Sequence, residues 1–296
     1  MKNKTDFLGP ARISFLLLTP ACVLLGIATA AMDAKVELVT IILVTLGAIA
    51  AHVCVNTFNE YSDFRTGLDF KTTRTPFSGG SGTLQRRPDL VNWTLILALS
   101  TAAITASIGI YFTLTKGWGL LPLGAFGLFI VLSYSFWLVR HPLLCLLAPG
   151  LGFGPCMVMG TYYVLTGHYS LSSAVVSLIP FFLVNNLLLL NQFPDIKADM
   201  LSGRNTLPIA FGLHKSVGVY AIFLILTYVS IIVGVFLGLI PKFALIGVGT
   251  IIIGIPSILG AFKNRENTKL LVPSMALNVF VNLLTPVLVS IGIMIG

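Results

Sequence analysis

Two polar segments of this sequence concentrate the side chains that can bind metal ions and phosphates. The segments cover about residues 59–90 and 193–214, and together they hold six of the ten acidic residues in the 296-residue chain. Each segment carries a pair of oxygen-bearing side chains four residues apart, a spacing that places both on one helix face. The first acidic pair, as we name it, is Asn59 with Asp63, of which only Asp63 is acidic, and the second acidic pair is Asp195 with Asp199.

The residue types in these segments favour magnesium and a diphosphate. Mg2+ binds oxygen ligands, commonly one or two carboxylates together with phosphate oxygens of a substrate. Lys197 and Arg204 add cationic donors that would balance the remaining phosphate charge. Asp69 lies six residues beyond Asp63, and Gly67 between them offers a helix exit that could bring Asp69 back to the site. We therefore predict a magnesium-bound diphosphate between the two segments.

The elements that must position these segments are membrane helices. Hydrophobic residues make up 56% of the chain and charged residues only 9%, whereas about a quarter of a soluble protein is charged. A helix needs about 20 apolar residues to cross a bilayer. On that basis the sequence predicts an all-α, multi-spanning membrane bundle of nine transmembrane helices, forming a single domain over residues 1–296. The approximate spans are 11–32, 36–58, 91–114, 118–138, 143–165, 171–192, 215–238, 242–262 and 270–295.

The placement of basic residues predicts the orientation of the bundle. With a cytoplasmic N-terminus, fifteen of the 18 Lys and Arg residues fall on the cytoplasmic side and three on the other. Cytoplasmic loops of membrane proteins carry such an excess. We therefore expect an integral protein of a bacterial or archaeal plasma membrane, surrounded by lipid, with both polar segments in the cytoplasm. The net charge of +8 then reports topology, and nucleic-acid binding is not expected.

The remaining polar groups carry less functional signal. Asn185 and Asn186 lie inside a predicted span, where helix–helix hydrogen bonds explain them. His52 and His168 are near predicted helix ends and are expected at the membrane interface. A transporter is the main competing class, but it should place ionisable groups or broken helices near mid-membrane, and these spans are nearly free of charge. The sequence does not indicate an oligomeric state.

Around the two acidic pairs the sequence resembles the UbiA-type intramembrane prenyltransferases. The first signature of that family, an Asn followed by Asp residues, is matched by Asn59 and Asp63, with Asp69 at the longer spacing typical of the menaquinone-pathway branch. The second signature, a DxxxD run followed by Gly-basic-x-Thr-Leu, is matched from Asp195 to Leu207. The nine spans agree with the family layout, so the resemblance covers nearly the whole chain. As a departure, Glu60 stands where the family commonly has Asp.

The resemblance implies Mg2+-dependent transfer of a prenyl group from a polyprenyl diphosphate to an aromatic acceptor. Resemblance to the menaquinone-pathway branch favours 1,4-dihydroxy-2-naphthoate as the acceptor. The alternative acceptors are 4-hydroxybenzoate, a lipid or a porphyrin. The expected metal ligands are Asn59, Asp63, Asp69, Asp195 and Asp199. The expected catalytic residues are Asp63, Asp195, Asp199, Lys197 and Arg204. Further substrate contacts are expected from Arg12, Arg65, Lys71, Arg74, Tyr134 and Asn191.

A prenyl cation would need a dry cavity with aromatic faces around it. The candidate aromatic side chains are Tyr61, Tyr134, Phe153 and Phe193.

Overall fold

The computed structural model describes residues 4–296, and no strand occurs in that part of the chain. Within residues 4–296, eight helical segments are long and apolar enough to cross a membrane, and a shorter apolar helix, α4, lies among them. In chain order the nine are α1 Ile13–Ala30, α2 Leu38–Thr66, α3 Pro88–Lys116, α4 Leu120–Ser133, α5 Pro142–Thr166, α6 Leu171–Asn191, α7 Leu207–Phe236, α8 Lys242–Asn264 and α9 Thr268–Ile295.

The predicted count of nine spans is reproduced only in part, because α4 is short. Its 14 residues extend about 21 Å at 1.5 Å per residue, whereas the hydrocarbon core of a bilayer is about 30 Å thick. The expected span 118–138 is interrupted after Ser133, where the chain turns and continues as a 3₁₀ helix at Leu138–Arg140. The structure therefore shows an all-helical bundle with eight candidate spans, and the ninth stays a prediction.

The outer surface of the bundle is apolar. Large side chains such as Leu38, Phe236 and Ile252 are 70%, 87% and 77% exposed. Soluble proteins rarely expose contiguous apolar surface on this scale. The exposure therefore fits helices whose outer faces contact lipid.

Two helices that border the acidic segments are longer than predicted. α2 has 29 residues, or about 43 Å, so its last turns extend beyond a 30 Å hydrocarbon core. It ends at Gly67, whose φ of 72° belongs to the left-handed region that favours glycine. α7 begins at Leu207 and is broken at Gly212, where φ is 81°. The first acidic pair therefore stands on a continuous helix instead of a loop.

Close packing of α5 on α6 brings two elements of the site together. A Cβ on Gly150 would lie 2.2 Å from the Phe181 carbonyl oxygen, and one on Gly154 would lie 2.4 Å from the Ser177 carbonyl oxygen. Only glycine allows the backbones to approach this closely. The start of α5 is thereby held beside the end of α6, at the end of the bundle that carries both acidic segments.

Candidate active site

The last turns of α2 carry the first acidic pair into the interior of the protein. Asn59 and Asp63 are one helical turn apart, and Asp63 is 4% exposed. The amide oxygen of Asn59 accepts a hydrogen bond of 3.0 Å from Arg12, which precedes α1. Both side chains are therefore held on a rigid element.

The second pair stands on a short helix that follows α6. Asp195 precedes the helix Ile196–Leu201, and the Asp199 N–H donates to the Asp195 carbonyl over 2.8 Å, which puts the two side chains one turn apart. Gly203, with φ of 76°, then reverses the chain. The Arg204 N–H donates to the Asp199 carbonyl over 3.0 Å. This turn folds Arg204 back over the pair.

Arg204 joins the two acidic segments. Its guanidinium is ion-paired with Asp63, and its other terminal nitrogen lies 3.3 Å from an oxygen of Asp199. Burial lowers the pKa of Arg204, but the carboxylates of Asp63 and Asp199 raise it by more, so the group stays charged. Segments separated by more than a hundred residues therefore meet through one side chain.

A cavity of about 210 Å³, here named the head cavity, opens at this junction. Apolar side chains such as Leu187 and Phe153 form its inner wall, and the backbone of Gly79 and Gly80 forms part of its rim. Eight of the predicted site residues line it, namely Arg12, Asn59, Asp63, Tyr134, Asn191, Asp195, Asp199 and Arg204.

Four predicted cations do not line the head cavity. Lys197 lies two positions from each member of the second pair, so it stands on the opposite side of the short helix and is exposed. The other three exposed cations are Arg65, Lys71 and Arg74. Of the predicted cations, the fold therefore places Arg204 and Arg12 beside the acidic pairs.

Asp69 lies behind the cavity wall. Because the chain turns at Gly67, Asp69 returns to α2 and is 4% exposed. Gly80 separates it from Glu60, since a Cβ on Gly80 would lie 3.1 Å from an oxygen of each. Neither oxygen of Asp69 has a hydrogen-bond partner among the residues described. Burial, together with the charges of Glu60 and Asp63, raises the pKa of Asp69 to about 7.

Glu60, the residue that departs from the family pattern, links neighbouring segments of the chain through hydrogen bonds. Its buried carboxylate accepts hydrogen bonds from Arg12 at 2.7 Å, from the Ser81 N–H at 2.6 Å and from the Ser81 hydroxyl at 2.8 Å. These hydrogen bonds attach two segments to α2, namely the segment before α1 and the glycine-rich loop at residues 79–82. Both oxygens of Glu60 are thus used within the protein.

Burial raises the pKa values of both carboxyls in the second pair. Burial, with the neighbouring charge of Asp199, raises the pKa of Asp195 to about 7. Burial also raises the pKa of Asp199 to about 6, although Arg204 offsets part of the rise. A nearby positive charge favours the ionised form of such carboxyls.

The oxygen donors around the head cavity fit a divalent cation. One oxygen each of Asn191 and Asp195, like both of Asp69, lacks a hydrogen-bond partner within residues 4–296. No three His, Cys, Asp or Glu side chains in that part of the chain converge on one point. An ion would therefore take one or two carboxylates and complete its shell with water or phosphate oxygens, which is the coordination that Mg2+ commonly shows.

An apolar space of about 370 Å³, here named the tail channel, lies beside the head cavity among α2, α3, α4 and α5. No Asp, Glu, Lys or Arg side chain of the described residues lines it. The two spaces are adjacent, because five residues line both of them. These are His52, Val55, Val131, Gly152 and Phe153.

His52 was expected at the membrane interface, and that expectation is wrong. It is 6% exposed inside α2, its ring packs edge-on against Phe153 with centroids 4.9 Å apart, and Nδ1 is hydrogen-bonded to the Thr19 hydroxyl at 2.8 Å. The error arose because α2 extends well past the predicted end. The sequence did hold a signal for the true position of His52: it lies seven residues before Asn59, which is two helical turns and therefore the same helix face.

Comparison with known proteins finds relatives along most of the chain. A profile of the UbiA prenyltransferase family matches residues 18–284. Over 199 residues the chain is 29% identical to a 1,4-dihydroxy-2-naphthoate octaprenyltransferase of Bacillus subtilis strain 168. That alignment covers 65% of this chain and 61% of the other, so the chain matches about three fifths of the length of that relative.

Solved structures share the fold at lower sequence identity. A UbiA homologue from Aeropyrum pernix K1 matches with a TM-score of 0.72 at 18% identity, covering 96% of this chain and 98% of the other. A UbiA homologue from Archaeoglobus fulgidus bound to DMAPP and Mg2+ matches with a TM-score of 0.64 at 14% identity, covering 97% and 99%. At these identities the likeness concerns the fold.

Proposed function

Because this chain belongs to the UbiA prenyltransferase family, we propose that it transfers a prenyl group from a polyprenyl diphosphate to an aromatic acceptor with the help of Mg2+. The proposed acceptor is 1,4-dihydroxy-2-naphthoate, which would give a menaquinone precursor, and the likeness to the Bacillus subtilis protein supports that choice. The observation that carries the proposal is that a carboxylate-lined head cavity lies directly beside an apolar tail channel. A charged head and a long hydrocarbon chain need these two environments side by side.

The diphosphate would bind between the two acidic segments. Mg2+, when bound, would neutralise the phosphate charge and stabilise the charge that develops on the leaving group. Arg204 already pairs with two carboxylates, and phosphate oxygens offer it the same charge-assisted hydrogen bonds. We assign it to the leaving diphosphate. The proposed metal ligands are Asp63, Asp195 and Asp199, of which one ion would take one or two, and Asn59, Asn191 and, from behind the cavity wall, Asp69 would assist.

The reaction would break one bond and form another. The bond between C1 of the prenyl chain and the diphosphate oxygen breaks, and its electron pair leaves with the diphosphate. A ring carbon of the acceptor supplies the pair for the new C–C bond, after which the ring releases a proton. The preorganised cation Arg204 favours the charge on the leaving group.

Aromatic side chains of the head cavity would protect and stabilise the positive carbon. Water would capture that carbon, so the cavity must exclude it. Tyr134 and Phe153 line the cavity, and their faces attract positive charge. Burial raises the pKa of Tyr134, which keeps the phenol neutral. Tyr61 and Phe193 do not line the cavity, so we assign them no such role.

We also propose that the chain forms one domain with nine spans, of which α4 is the short one, and with a cytoplasmic N-terminus. The bias of basic residues toward one side supports this orientation. The exposed cations Arg65, Lys71 and Lys197 surround the acidic end of the bundle. There they would face the cytosol and the anionic lipid of the inner leaflet.

A transfer assay with the purified chain tests the proposal. Isotope-labelled geranylgeranyl diphosphate and Mg2+ are supplied with each acceptor in turn: 1,4-dihydroxy-2-naphthoate, 4-hydroxybenzoate, a glycerol lipid or a porphyrin. We expect transfer of the label when 1,4-dihydroxy-2-naphthoate is the acceptor. Asp195→Asn and Asp63→Asn should each reduce kcat by a factor of about 100 or more. Glu266→Gln is the control, because this carboxylate is 78% exposed on a different loop. Absence of transfer to every acceptor, or full activity of Asp195→Asn, would contradict the proposal.

A further inference from the structure

A third cavity adjoins the head cavity on the side of the segment that precedes α1. It encloses about 400 Å³ between residues 8–15 and 74–81, and it is named here the N-terminal cleft. Its wall combines hydroxyl groups, two phenyl rings and two guanidinium groups. These members are Arg12, Ser14, Phe15, Arg74, Thr75, Phe77, Ser78 and Ser81.

The charge of the N-terminal cleft is opposite to that of the head cavity. Arg12 and Arg74 are the charged residues of its lining, and no acidic side chain of the described residues lines it. The head cavity, in contrast, is lined by three Asp carboxylates. Arg12 is already paired with Glu60. Arg74 is therefore the cation that remains to attract an anion, and such an anion would need no metal ion.

The glycine-rich loop holds Arg74 at the cleft. One terminal nitrogen of Arg74 donates to the carbonyls of Gly80, at 3.4 Å, and Ser81, while Nε and Nη1 find no acceptor in the part of the chain that is described. Gly82, with φ of 67°, lets the backbone pass against the guanidinium, since a Cβ there would lie 1.8 Å from Nη1. The cleft thus presents a preorganised cation, which reduces the entropic cost of binding.

The cleft shares a wall with the head cavity. Phe15 and Phe77 line both spaces, as do Arg12, Ser78 and Gly80. A flat ring between the two phenyl groups would be adjacent to the site where a diphosphate leaves. A polyprenyl diphosphate suits the cleft poorly, because no described residue of its lining offers a carboxylate to hold Mg2+.

We infer that the N-terminal cleft binds the aromatic acceptor as its carboxylate, with Arg74 pairing with that carboxylate. This inference rests on the proposed prenyl transfer and adds to it the place and the charge of the acceptor. It also assigns Arg74, which the sequence alone gave as a substrate contact, to the aromatic acceptor. The two substrates then approach the reaction from different cavities, and the acceptor binds without Mg2+ or prenyl diphosphate.

Equilibrium binding of a fluorescent hydroxynaphthoate to the full chain, in the absence of Mg2+ and prenyl diphosphate, tests the inference. A charge-assisted hydrogen bond typically contributes enough that Arg74→Gln should weaken binding about 10-fold to 100-fold. Arg74→Lys keeps the charge and should retain part of the affinity. Arg86→Gln is the matched control, because Arg86 is an exposed cation near this loop but outside the cleft. Naphthol, which lacks the carboxylate, should bind wild type and Arg74→Gln equally.

A second variant guards against misfolding of the first. Ser14 is exposed and lines the cleft from the opposite side, so Ser14→Trp should obstruct the cleft and raise KM for the naphthoate but not for the prenyl diphosphate. Unchanged naphthoate binding in Arg74→Gln, or a rise in KM for the prenyl diphosphate alone, would overturn the inference. The proposed function would survive that result, provided that the wild type transfers prenyl groups. Failure of the wild type in the transfer assay would instead remove the proposed function.

Discussion

Lowering the pH from 8 to 6 should weaken Mg2+ binding to the enzyme in the absence of substrate. The pKa of Asp195 is raised to about 7 and that of Asp199 to about 6. At pH 6 the first carboxyl is therefore protonated about nine times in ten and the second about half the time. Mg2+ binds the ionised forms, so at the lower pH it must displace protons.

The size of the effect follows from these two pKa values. Displacing the protons lowers the apparent affinity about 20-fold between pH 8 and pH 6, which is about 1.8 kcal/mol. Binding should release about 1.4 protons at pH 6 and about 0.1 at pH 8. In Asp195→Asn, Asp199 is the member of the second pair that still titrates, so the contribution of this pair to the pH dependence should shrink to about twofold.

Isothermal titration of Mg2+ into the metal-free protein measures both quantities. Repeating the titration in two buffers with different ionisation enthalpies counts the protons released. Glu266→Gln, an exposed carboxylate elsewhere, should behave as the wild type. An affinity that changes less than twofold between the two pH values, with no proton release at pH 6, would refute the assignment of Asp195 and Asp199 as ligands in a desolvated site.

Three further predictions concern stability, charge and chain length. The metal-free protein should lose about 2 kcal/mol of stability from Asp69 alone as the pH rises from 5.5 to 8. The Asp69 carboxyl has a pKa of about 7 in the folded state, so the folded protein holds a proton that the unfolded chain has already released. In thermal unfolding, Mg2+ should therefore raise Tm more at pH 8 than at pH 5.5. Arg204→Gln should lower kcat about 100-fold to 1,000-fold. It should also lower the free energy of unfolding by about 3 kcal/mol, because two buried carboxylates lose their partner. An unchanged kcat would exclude Arg204 from the reaction. Ala51→Leu, in the wall of the tail channel, should shift the products seen by mass spectrometry toward shorter prenyl chains, and equal product lengths in this variant and in the control Ala103→Leu, exposed on α3, would show that the chain lies elsewhere.

Local patterns in the sequence were sufficient to predict the helices and the residues that make up the two acidic pairs. The length of an apolar run determines whether it can cross a bilayer, and a spacing of four residues places two side chains on one helix face whatever the fold. The turn at Gly67 was predicted for the same reason, since a glycine at a helix end readily adopts a positive φ. These features depend on neighbours along the chain.

Contacts between distant segments were decided by the tertiary structure. Lys197 and Arg204 are both cationic candidates in the sequence, but of the two only Arg204 is folded back at Gly203 to contact Asp63 and Asp199. The positions of Arg74 in the N-terminal cleft and of His52 between two cavities likewise follow from packing. Periodicity says which side chains share a face, but which partner that face meets depends on how the helices pack, and close contacts such as that between α5 and α6 set the arrangement.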